Sequence, residues 1–298
     1  MAMKNNFVQC LHPSGLHSMH YTEWGARDNP QIVICVHGLS RNCRDFDVLA
    51  RGIEKDFRVI CPDIAGRGES DWLSDKMNYD NAQYIADLTT LIARITAHGC
   101  REIFWVGTSM GGLLGMMLAA LPGTPIRRLV LNDVGGVIPY AAIARIAAYL
   151  GKDPRFDSFD ELETCVRTIS APFGPLTDPQ WEHLTKFNSK QHGDGKWGFN
   201  YDPGIATPFQ VSMQNSTPAD IALWQHYDHI RCPTLLLRGA NSDLLLKDTA
   251  TAMTRRGPKA QLIEFEGIGH APMLMRTDQV GEVRQFLLAD TGITPRSI

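Results

Sequence analysis

The sequence lacks long hydrophobic runs and blocks of like charge. No stretch of about eighteen apolar residues occurs, and residues 1–10 contain no apolar segment of signal-peptide length. The first absence argues against a membrane-spanning helix and the second against a secretory signal peptide, so we expect a soluble, cytoplasmic protein. The net charge is −3 and charged residues make up only 20% of the chain. This dispersed charge argues against nucleic acid or an anionic membrane surface as a partner, and we expect a small, largely uncharged ligand.

The sequence also lacks paired cysteine motifs. Its seven cysteines are scattered, with no Cys-x-x-Cys pair and no histidine at a metal-ligand spacing. We therefore expect reduced thiols and no metal. Cys35 and Cys61 lie inside apolar runs, where a thiol usually packs as a small core side chain. The glycine pair Gly66 and Gly68 has no dinucleotide fingerprint or P-loop lysine around it, so it does not predict a phosphate site.

What the sequence does have is a regular alternation of short apolar runs with amphipathic segments. At 298 residues the chain can form one large domain, or a core with an insertion. The alternation predicts a mostly parallel sheet covered by helices on both faces, opened by an antiparallel hairpin. The predicted strands are Phe7–Leu11, Leu16–Trp24, Gln31–Val36, Phe57–Cys61, Ile103–Val106, Arg128–Asn132, Thr234–Arg238 and Gln261–Phe265. The clearest predicted helices are Asp45–Glu54, Tyr84–Ile95, which should stop near Gly99, Lys247–Arg255 and Thr277–Leu288.

The alternation is lost between about residues 137 and 227. This stretch is rich in proline and aromatic residues, and we interpret it as an inserted lid. The predicted domains are thus a core of residues 1–136 and 228–298 and a cap of residues 137–227. Ligands bind at the carboxyl ends of the strands in parallel sheets. Ser109, Asp243 and His270 each follow a predicted strand, so we expect them at one edge.

The segment Val106–Gly112 reads Val-Gly-Thr-Ser-Met-Gly-Gly and lies between a predicted strand and a predicted helix. This is the Gly-x-Ser-x-Gly pattern of a nucleophile elbow, in which the serine occupies a strained turn and exposes its hydroxyl. Gly107 and Gly111 leave room for the crowded turn. Ser109 is therefore the candidate nucleophile.

A serine hydroxyl needs an imidazole to take its proton and a carboxylate to hold that imidazole in the right tautomer. His270, in the glycine-rich loop after the last strand, is the candidate base. Asp243 is the favoured acid because it directly follows a strand. Asp133 also follows a strand and remains the alternative acid, with capping of the turn into the lid as its other possible role.

Two backbone N–H groups are candidates for stabilising an oxyanion. Met110 offers one at a helix N-terminus, and Leu39, after Gly38, offers the second. We expect His37 to fix this loop by a hydrogen bond. Arg41 and Asn42 are candidate substrate contacts at the pocket mouth, or simply solvated loop residues. Trp197, Phe199 and Tyr201 in the lid either line the pocket or pack the lid core.

These motifs together resemble the α/β-hydrolase superfamily over nearly the whole chain apart from the lid. The residues that carry the resemblance are His37-Gly38, Asp63-x-x-Gly-x-Gly-x-Ser70, Gly107-x-Ser109-x-Gly111, Asp243 and Gly269-His270. The resemblance implies the α/β-hydrolase fold, with an eight-stranded, mostly parallel sheet and a helical cap inserted after strand six. It also implies a Ser-His-Asp triad and no cofactor.

Within that superfamily the residues favour a serine carboxylesterase. Ser109 argues against haloalkane dehalogenases and epoxide hydrolases, which place aspartate at the elbow. We expect hydrolysis of a small carboxylic ester or lactone through an acyl-enzyme.

Two alternative functions stay open. One is a carbon–carbon bond hydrolase of the meta-cleavage type with the same triad, although such enzymes often carry tryptophan where this chain has Ala271. The other is a slow-turnover ligand sensor. The motifs do not specify acyl length or oligomeric state.

Overall fold

A computed structural model of the chain describes residues 2–97, 103–215 and 217–289. Its centre is an eight-stranded sheet. The strands are β1 (Lys4–His12), β2 (Gly15–Trp24), β3 (Ile32–Val36), β4 (Arg58–Pro62), β5 (Ile103–Thr108), β6 (Ile126–Asn132), β7 (Thr234–Gly239) and β8 (Gln261–Phe265). The strand order is β1-β2-β4-β3-β5-β6-β7-β8. The pairs β1/β2 and β2/β4 are antiparallel and every other neighbouring pair is parallel. The predicted sheet, including its opening hairpin, is confirmed.

The central strands are buried on both faces, as their continuous apolar sequences require. All five residues of β3 are buried. Because side chains alternate across a strand, Ile34 and Trp105 belong to the core cluster on one face, whereas Cys35 and Val106 belong to the cluster on the other. Cys35 is a buried free thiol, as are its neighbours in the same core cluster. Cys100 lies outside the described residues.

Helices cover both faces of the sheet. Five of them belong to the core. Three precede the cap, α1 (Asp47–Ile53), α2 (Asn81–Thr96) and α3 (Met110–Ala119), and two follow it, α9 (Lys247–Met253) and α10 (Thr277–Leu288). Helix α2 begins where the side chain of Asp80 accepts a hydrogen bond from the N–H of Gln83, at 2.8 Å. Gly99, where we expected this helix to stop, lies outside the described residues.

The segment between β6 and β7 forms the cap. Its helices are α4 (Tyr140–Ala147), α5 (Phe159–Ile169), α6 (Asp178–Phe187), α7 (Thr207–Asn215) and α8 (Trp224–Tyr227). Two short antiparallel pairs accompany them, Val137–Ile138 with Ile221–Ala222 and Ser189–Gln191 with Trp197–Phe199. A helical insertion after the sixth strand is thus confirmed, whereas the exact domain boundaries remain a prediction.

The cap is hydrogen-bonded to the core at the loops that follow β3 and β4. The side-chain amide of Asn42 donates to the carbonyl of Phe187 at 2.7 Å. The N–H of Asp202 donates to the carbonyl of Gly66 at 2.7 Å, and the hydroxyl of Tyr79 donates to the Asp202 carboxylate at 2.6 Å. These contacts hold the cap above the carboxyl ends of the strands. Within the described residues, no helix combines the length and apolar character needed to cross a membrane.

Candidate active site

Ser109 lies at the turn between β5 and α3, in a backbone conformation that is rare for a residue with a side chain. Its φ is 52° and its ψ is −115°. The turn is so crowded that a Cβ added to Gly111 would lie 2.0 Å from the carbonyl oxygen of Val36. A side chain at Gly107 would meet the backbone of Gly111 at 2.3 Å. Both positions therefore require glycine, and the elbow predicted from the sequence has the expected geometry.

His270 lies in the loop after β8 and faces Ser109. Its Nε2 is 3.0 Å from Oγ of Ser109, and its Nδ1 is 2.7 Å from Oδ2 of Asp133. An ionised carboxylate only accepts hydrogen bonds, so Nδ1 carries the proton and Nε2 is left to accept from the serine hydroxyl. The three side chains form a continuous hydrogen-bonded relay.

Asp133 is fully buried directly after β6 and adopts a positive φ of 56°. Its Oδ1 accepts a hydrogen bond from the N–H of Gly239 at 3.0 Å. Its Oδ2 accepts from the hydroxyl of Ser242 at 2.6 Å in addition to His270. Three hydrogen-bond donors therefore converge on this one carboxylate. They also fix the position of both carboxylate oxygens.

Ser242 is a supporting residue that sequence reasoning missed. Its Oγ accepts hydrogen bonds from the N–H groups of Leu244 and Leu245 at 3.2 and 3.1 Å. Because a hydroxyl has two acceptor sites and one proton, these two bonds leave the proton for Asp133. The tight turn in which Ser242 N–H donates to the carbonyl of Gly239, at 2.9 Å, brings its side chain inward.

The favoured acid, Asp243, is wrong on this geometry. Its side chain is 51% exposed and forms an ion pair with Arg145 of α4, with Nε 2.6 Å from Oδ2. The physical reason is the turn after β7, which directs Ser242 toward the buried relay and the next residue toward solvent. The alternative acid, Asp133, is the carboxylate that contacts His270.

Asn132, the last residue of β6, is a second residue that the sequence analysis did not select. Its buried side-chain amide donates to Oγ1 of Thr108 at 2.9 Å and to the carbonyl of Pro272 at 2.8 Å. Its carbonyl accepts the N–H of Ser109 at 2.9 Å. Asn132 therefore joins the elbow to the loop that carries His270. The sequence feature that could have identified Asn132 is its position at the end of a strand, directly before Asp133.

The loop after β3 runs beside the serine. A Cβ added to Gly38 would lie 3.7 Å from Cβ of Ser109. The N–H of Met110 belongs to the first turn of α3, where N–H groups have no acceptor within the helix. Gly38, which precedes Leu39, and Met110 therefore both lie next to the nucleophile, and the role of the Leu39 and Met110 N–H groups as oxyanion donors stays a prediction.

His37 fixes that loop as expected. Its Nδ1 donates to the carbonyl of Gly38 at 2.7 Å, and its Nε2 accepts the N–H of Ile64 at 3.0 Å. Burial lowers the pKa of His37 to about 4, so the ring is neutral near pH 7. The two bonds select one tautomer.

The two polar residues expected at the pocket mouth have protein partners. Arg41 forms a forked ion pair with Asp45, at 2.7 and 2.8 Å, and lies over the ring of Phe173. Asn42 is buried, and its side chain bonds the cap at the carbonyl of Phe187. Asn42 as a substrate contact is therefore corrected to a cap anchor, because both ends of its amide are occupied.

The three cap aromatics pack mainly against other aromatic rings. Trp197 contacts Phe159 edge to face, with ring centroids 5.3 Å apart. Phe199 stacks on Tyr201 at 6.0 Å, and Tyr201 is buried in the main core cluster. These contacts support the lid-packing alternative for all three, and their role as substrate contacts remains a prediction.

Two buried groups among the described residues have donor sets that a metal ion could use, Cys10 with His17 and Asp87, and His20 with Cys43 and Asp63. In each group the carboxylate already pairs with the histidine, at 3.0 and 2.8 Å. Asp63 also accepts the N–H groups of Cys43 and Glu69, at 2.7 and 3.0 Å. These bonds hold the loop after β4 in place.

Comparisons with known proteins show the family and the fold of the chain. Residues 33–283 match the family model described as the alpha/beta hydrolase family. A 3-hydroxybutyrate-oligomer hydrolase of Cupriavidus necator is 46% identical over 284 residues, covering 94% of this chain and 96% of that protein. A solved alpha/beta hydrolase from Novosphingobium aromaticivorans is 34% identical, with a TM-score of 0.83 over 96% of this chain and 98% of that one. A solved structure from Rickettsia typhi is 29% identical, with a TM-score of 0.87 over 96% and 99% of the two chains.

Proposed function

Because the chain belongs to the α/β-hydrolase family, we propose that it is a serine esterase in which Ser109 is the nucleophile, His270 the base and Asp133 the orienting acid. The observation that carries the proposal is the relay of 3.0 Å from Ser109 to His270 and 2.7 Å from His270 to Asp133. Both distances lie within hydrogen-bonding reach, which is the geometric requirement for general-base activation of a hydroxyl.

In the acylation step, Oγ of Ser109 attacks the ester carbonyl while its proton passes to Nε2 of His270. The imidazolium that forms is stabilised by the carboxylate of Asp133, which stays ionised. The tetrahedral intermediate then collapses, its C–O bond to the leaving alcohol breaks, and His270 Nε2 returns the proton to that oxygen. The acyl group remains on Ser109.

In the deacylation step, water takes the place of the alcohol. His270 removes one of its protons, the hydroxide oxygen attacks the acyl carbon, and the acid is released as the proton returns to Ser109. Each turnover consumes one water and yields one carboxylic acid and one alcohol. The oxyanion of both intermediates would lie between the N–H groups of Leu39 and Met110, where each donor contributes about 3–4 kcal/mol to transition-state stabilisation.

We further propose that the substrate is an ester of a short hydroxyacid, such as a 3-hydroxybutyrate oligomer. The support is the relative from Cupriavidus necator, whose name states this activity and whose identity of 46% extends over 94% of the chain. In such an oligomer the acid and the alcohol of each ester are both hydroxyacids, so hydrolysis shortens the chain.

The test is hydrolysis of the 3-hydroxybutyrate dimer and trimer by the purified protein, measured by chromatography of the released monomer, with p-nitrophenyl butyrate as a generic ester. We expect turnover of the oligomers with a higher kcat/KM than that of the matched fatty-acyl ester. Ser109→Ala should lower kcat by roughly 10⁶-fold on every ester.

Separate outcomes would contradict the two parts of the proposal. Retention of activity in Ser109→Ala, or failure of a fluorophosphonate to label Ser109, would exclude the serine mechanism. Turnover of p-nitrophenyl butyrate without any turnover of the oligomers would leave the esterase and exclude the hydroxyacid substrate.

A further inference from the structure

Arg67 lies in the loop after β4 and is the largest charged side chain that is completely buried, with 0% exposure. Its Nε donates to the carbonyl of Leu39 at 2.9 Å. Its Nη1 donates to the carbonyl of Ala65 at 2.7 Å and to the hydroxyl of Tyr84 at 2.8 Å. A buried guanidinium is costly unless its N–H groups are satisfied, so the loops around it are arranged to supply acceptors.

The acceptors of Arg67 are all neutral. Two are backbone carbonyls, one is the Tyr84 hydroxyl, and the fourth is Sδ of Met110, 3.9 Å from Nη2. The guanidinium also lies over the face of the Tyr84 ring, 4.9 Å from its centroid. The guanidinium is also 5.8 Å from the centroid of the Tyr79 ring, whose hydroxyl binds the buried carboxylate of Asp202. Arg67 therefore acts through hydrogen bonds to neutral groups rather than through a direct ion pair in this set of contacts.

The hydrogen bond from Arg67 to Leu39 is one of two that fix the backbone on either side of the Leu39 Cα. The Leu39 N–H shares a peptide unit with the carbonyl of Gly38, and that carbonyl accepts the ring N–H of His37 at 2.7 Å. The carbonyl of Leu39 itself accepts Nε of Arg67. The peptide planes before and after the Leu39 Cα are thus each held by a buried side chain. Because a peptide unit is planar, fixing these oxygens fixes the direction of the N–H between them.

Arg67 also touches the other candidate donor residue. Nη2 contacts the side chain of Met110, whose N–H begins α3. One side chain thus contacts both residues whose N–H groups would receive the oxyanion.

We propose that Arg67 is a positioning residue for the oxyanion hole: it holds the Leu39 backbone in register with Met110. This inference rests on the proposed serine-esterase function. It assigns to the arginine of the chain's Gly66-Arg67-Gly68 turn a role in transition-state stabilisation that does not depend on contact with the substrate.

The test compares Arg67→Lys and Arg67→Met with wild type, and uses Tyr84→Phe as the matched control. Lysine keeps a cation but lacks the planar fork, so it cannot hold Leu39, Ala65 and Tyr84 together. Tyr84→Phe removes one buried hydrogen bond of Arg67 and leaves the bond to Leu39. Thermal unfolding of all variants shows whether each one is folded. If Arg67→Met is unfolded, the comparison of Arg67→Lys with wild type decides the test.

The decisive readout separates the transition state from the ground state. A trifluoromethyl ketone analogue forms a tetrahedral adduct on Ser109 with its oxyanion in the oxyanion hole, whereas the matching secondary alcohol binds the pocket without an oxyanion.

In Arg67→Lys we expect kcat to fall about tenfold to hundredfold, since removing one oxyanion donor outright lowers kcat by about 10²–10³-fold. KM should stay within about twofold. The affinity for the ketone should fall by the same factor as kcat, and the affinity for the alcohol should not change. Tyr84→Phe, which keeps the bond from Arg67 to Leu39, should lower kcat and the ketone affinity less than Arg67→Lys does.

Wild-type kcat and ketone affinity in both Arg67 variants would overturn the inference. Equal losses for ketone and alcohol would also overturn it, because they would indicate a general disturbance of the pocket. These outcomes differ from failure of the proposed function, in which wild type itself would neither hydrolyse esters nor react with a fluorophosphonate at Ser109.

Discussion

Oδ2 of Asp133 lies 2.7 Å from Nδ1 of His270, although 137 residues separate the two in the chain. Asp133 follows β6 and His270 follows β8, so the acid reaches the histidine across the end of the intervening strand β7. The loop after β7 contributes Gly239 N–H and the Ser242 hydroxyl to the same carboxylate. The site therefore takes its acid from one strand end and the support for that acid from the next.

The first prediction separates the two aspartates. Asp133→Asn should lower kcat roughly 10⁴-fold, because an amide can donate to Nδ1 and so favours the tautomer in which Nε2 carries the proton and cannot accept from Ser109. Asp243→Asn should leave kcat within about twofold, since it removes only an exposed ion pair with Arg145. Steady-state ester hydrolysis at a single pH measures both. The reverse order of losses would restore Asp243 as the acid.

The second prediction concerns Ser242. Hydrogen bonds to charged groups contribute about 1.5–3 kcal/mol, so Ser242→Ala should lower kcat about tenfold by loosening the carboxylate of Asp133. The imidazole proton on Nδ1 of His270 offers a spectroscopic check, because its NMR resonance reports the strength of the bond to Asp133. We expect that resonance to move in Ser242→Ala. An unchanged resonance together with unchanged kcat would show that the 2.6 Å contact does not contribute.

The sequence predicted those parts of the site that depend on local chain geometry. The elbow at Ser109 needs glycine at fixed offsets within five residues, and His270 follows the last strand in a short loop. The choice of acid depends instead on which residue of a tight turn faces inward. Spacing in the sequence does not show that Ser242, and not Asp243, faces inward in that turn. The inward direction of Ser242 depends on bonds formed in the fold, to the carbonyl of Gly239 and to the carboxylate of Asp133.

Local sequence patterns could not predict the contacts between the cap and the core. Asn42 was expected at the pocket mouth because it lies in a loop next to the nucleophile. Its partner, the carbonyl of Phe187, is 145 residues away in the cap. Periodicity and motifs describe neighbours in sequence, and they contain no information on which cap segment covers which core loop.

The third prediction follows from that contact. Asn42→Ala removes the hydrogen bonds to the cap and leaves the buried carbonyl of Phe187 without this donor, which should lower the free energy of unfolding by about 1–3 kcal/mol. Urea unfolding at pH 7 measures the loss. The control is Arg145→Ala, which removes the contacts of an exposed cap side chain with Asp243 and Tyr149. A rise in KM with unchanged unfolding would instead support the original interpretation of Asn42 as a substrate contact.

The fourth prediction uses the buried ring of His37. Burial lowers its pKa to about 4 in the folded protein, whereas an unfolded histidine has a pKa of about 6.5. Between those values the unfolded chain binds a proton that the folded chain does not, so the stability contributed by the neutral ring is complete above pH 6.5, falls as the pH falls, and becomes constant below about pH 4. The contribution of this residue should decrease by about 2 kcal/mol between pH 7 and pH 5.

Urea unfolding of wild type and of the non-titrating variant His37→Gln across this pH range isolates the contribution of His37, because the other titrating groups are common to both proteins. The two stability curves should converge toward pH 4 as the wild type loses its advantage, since protonation at Nε2 would break the bond from Ile64. Parallel curves over the whole range would show that His37 titrates normally in the folded state, and that the loop carrying Leu39 is not held by a neutral imidazole.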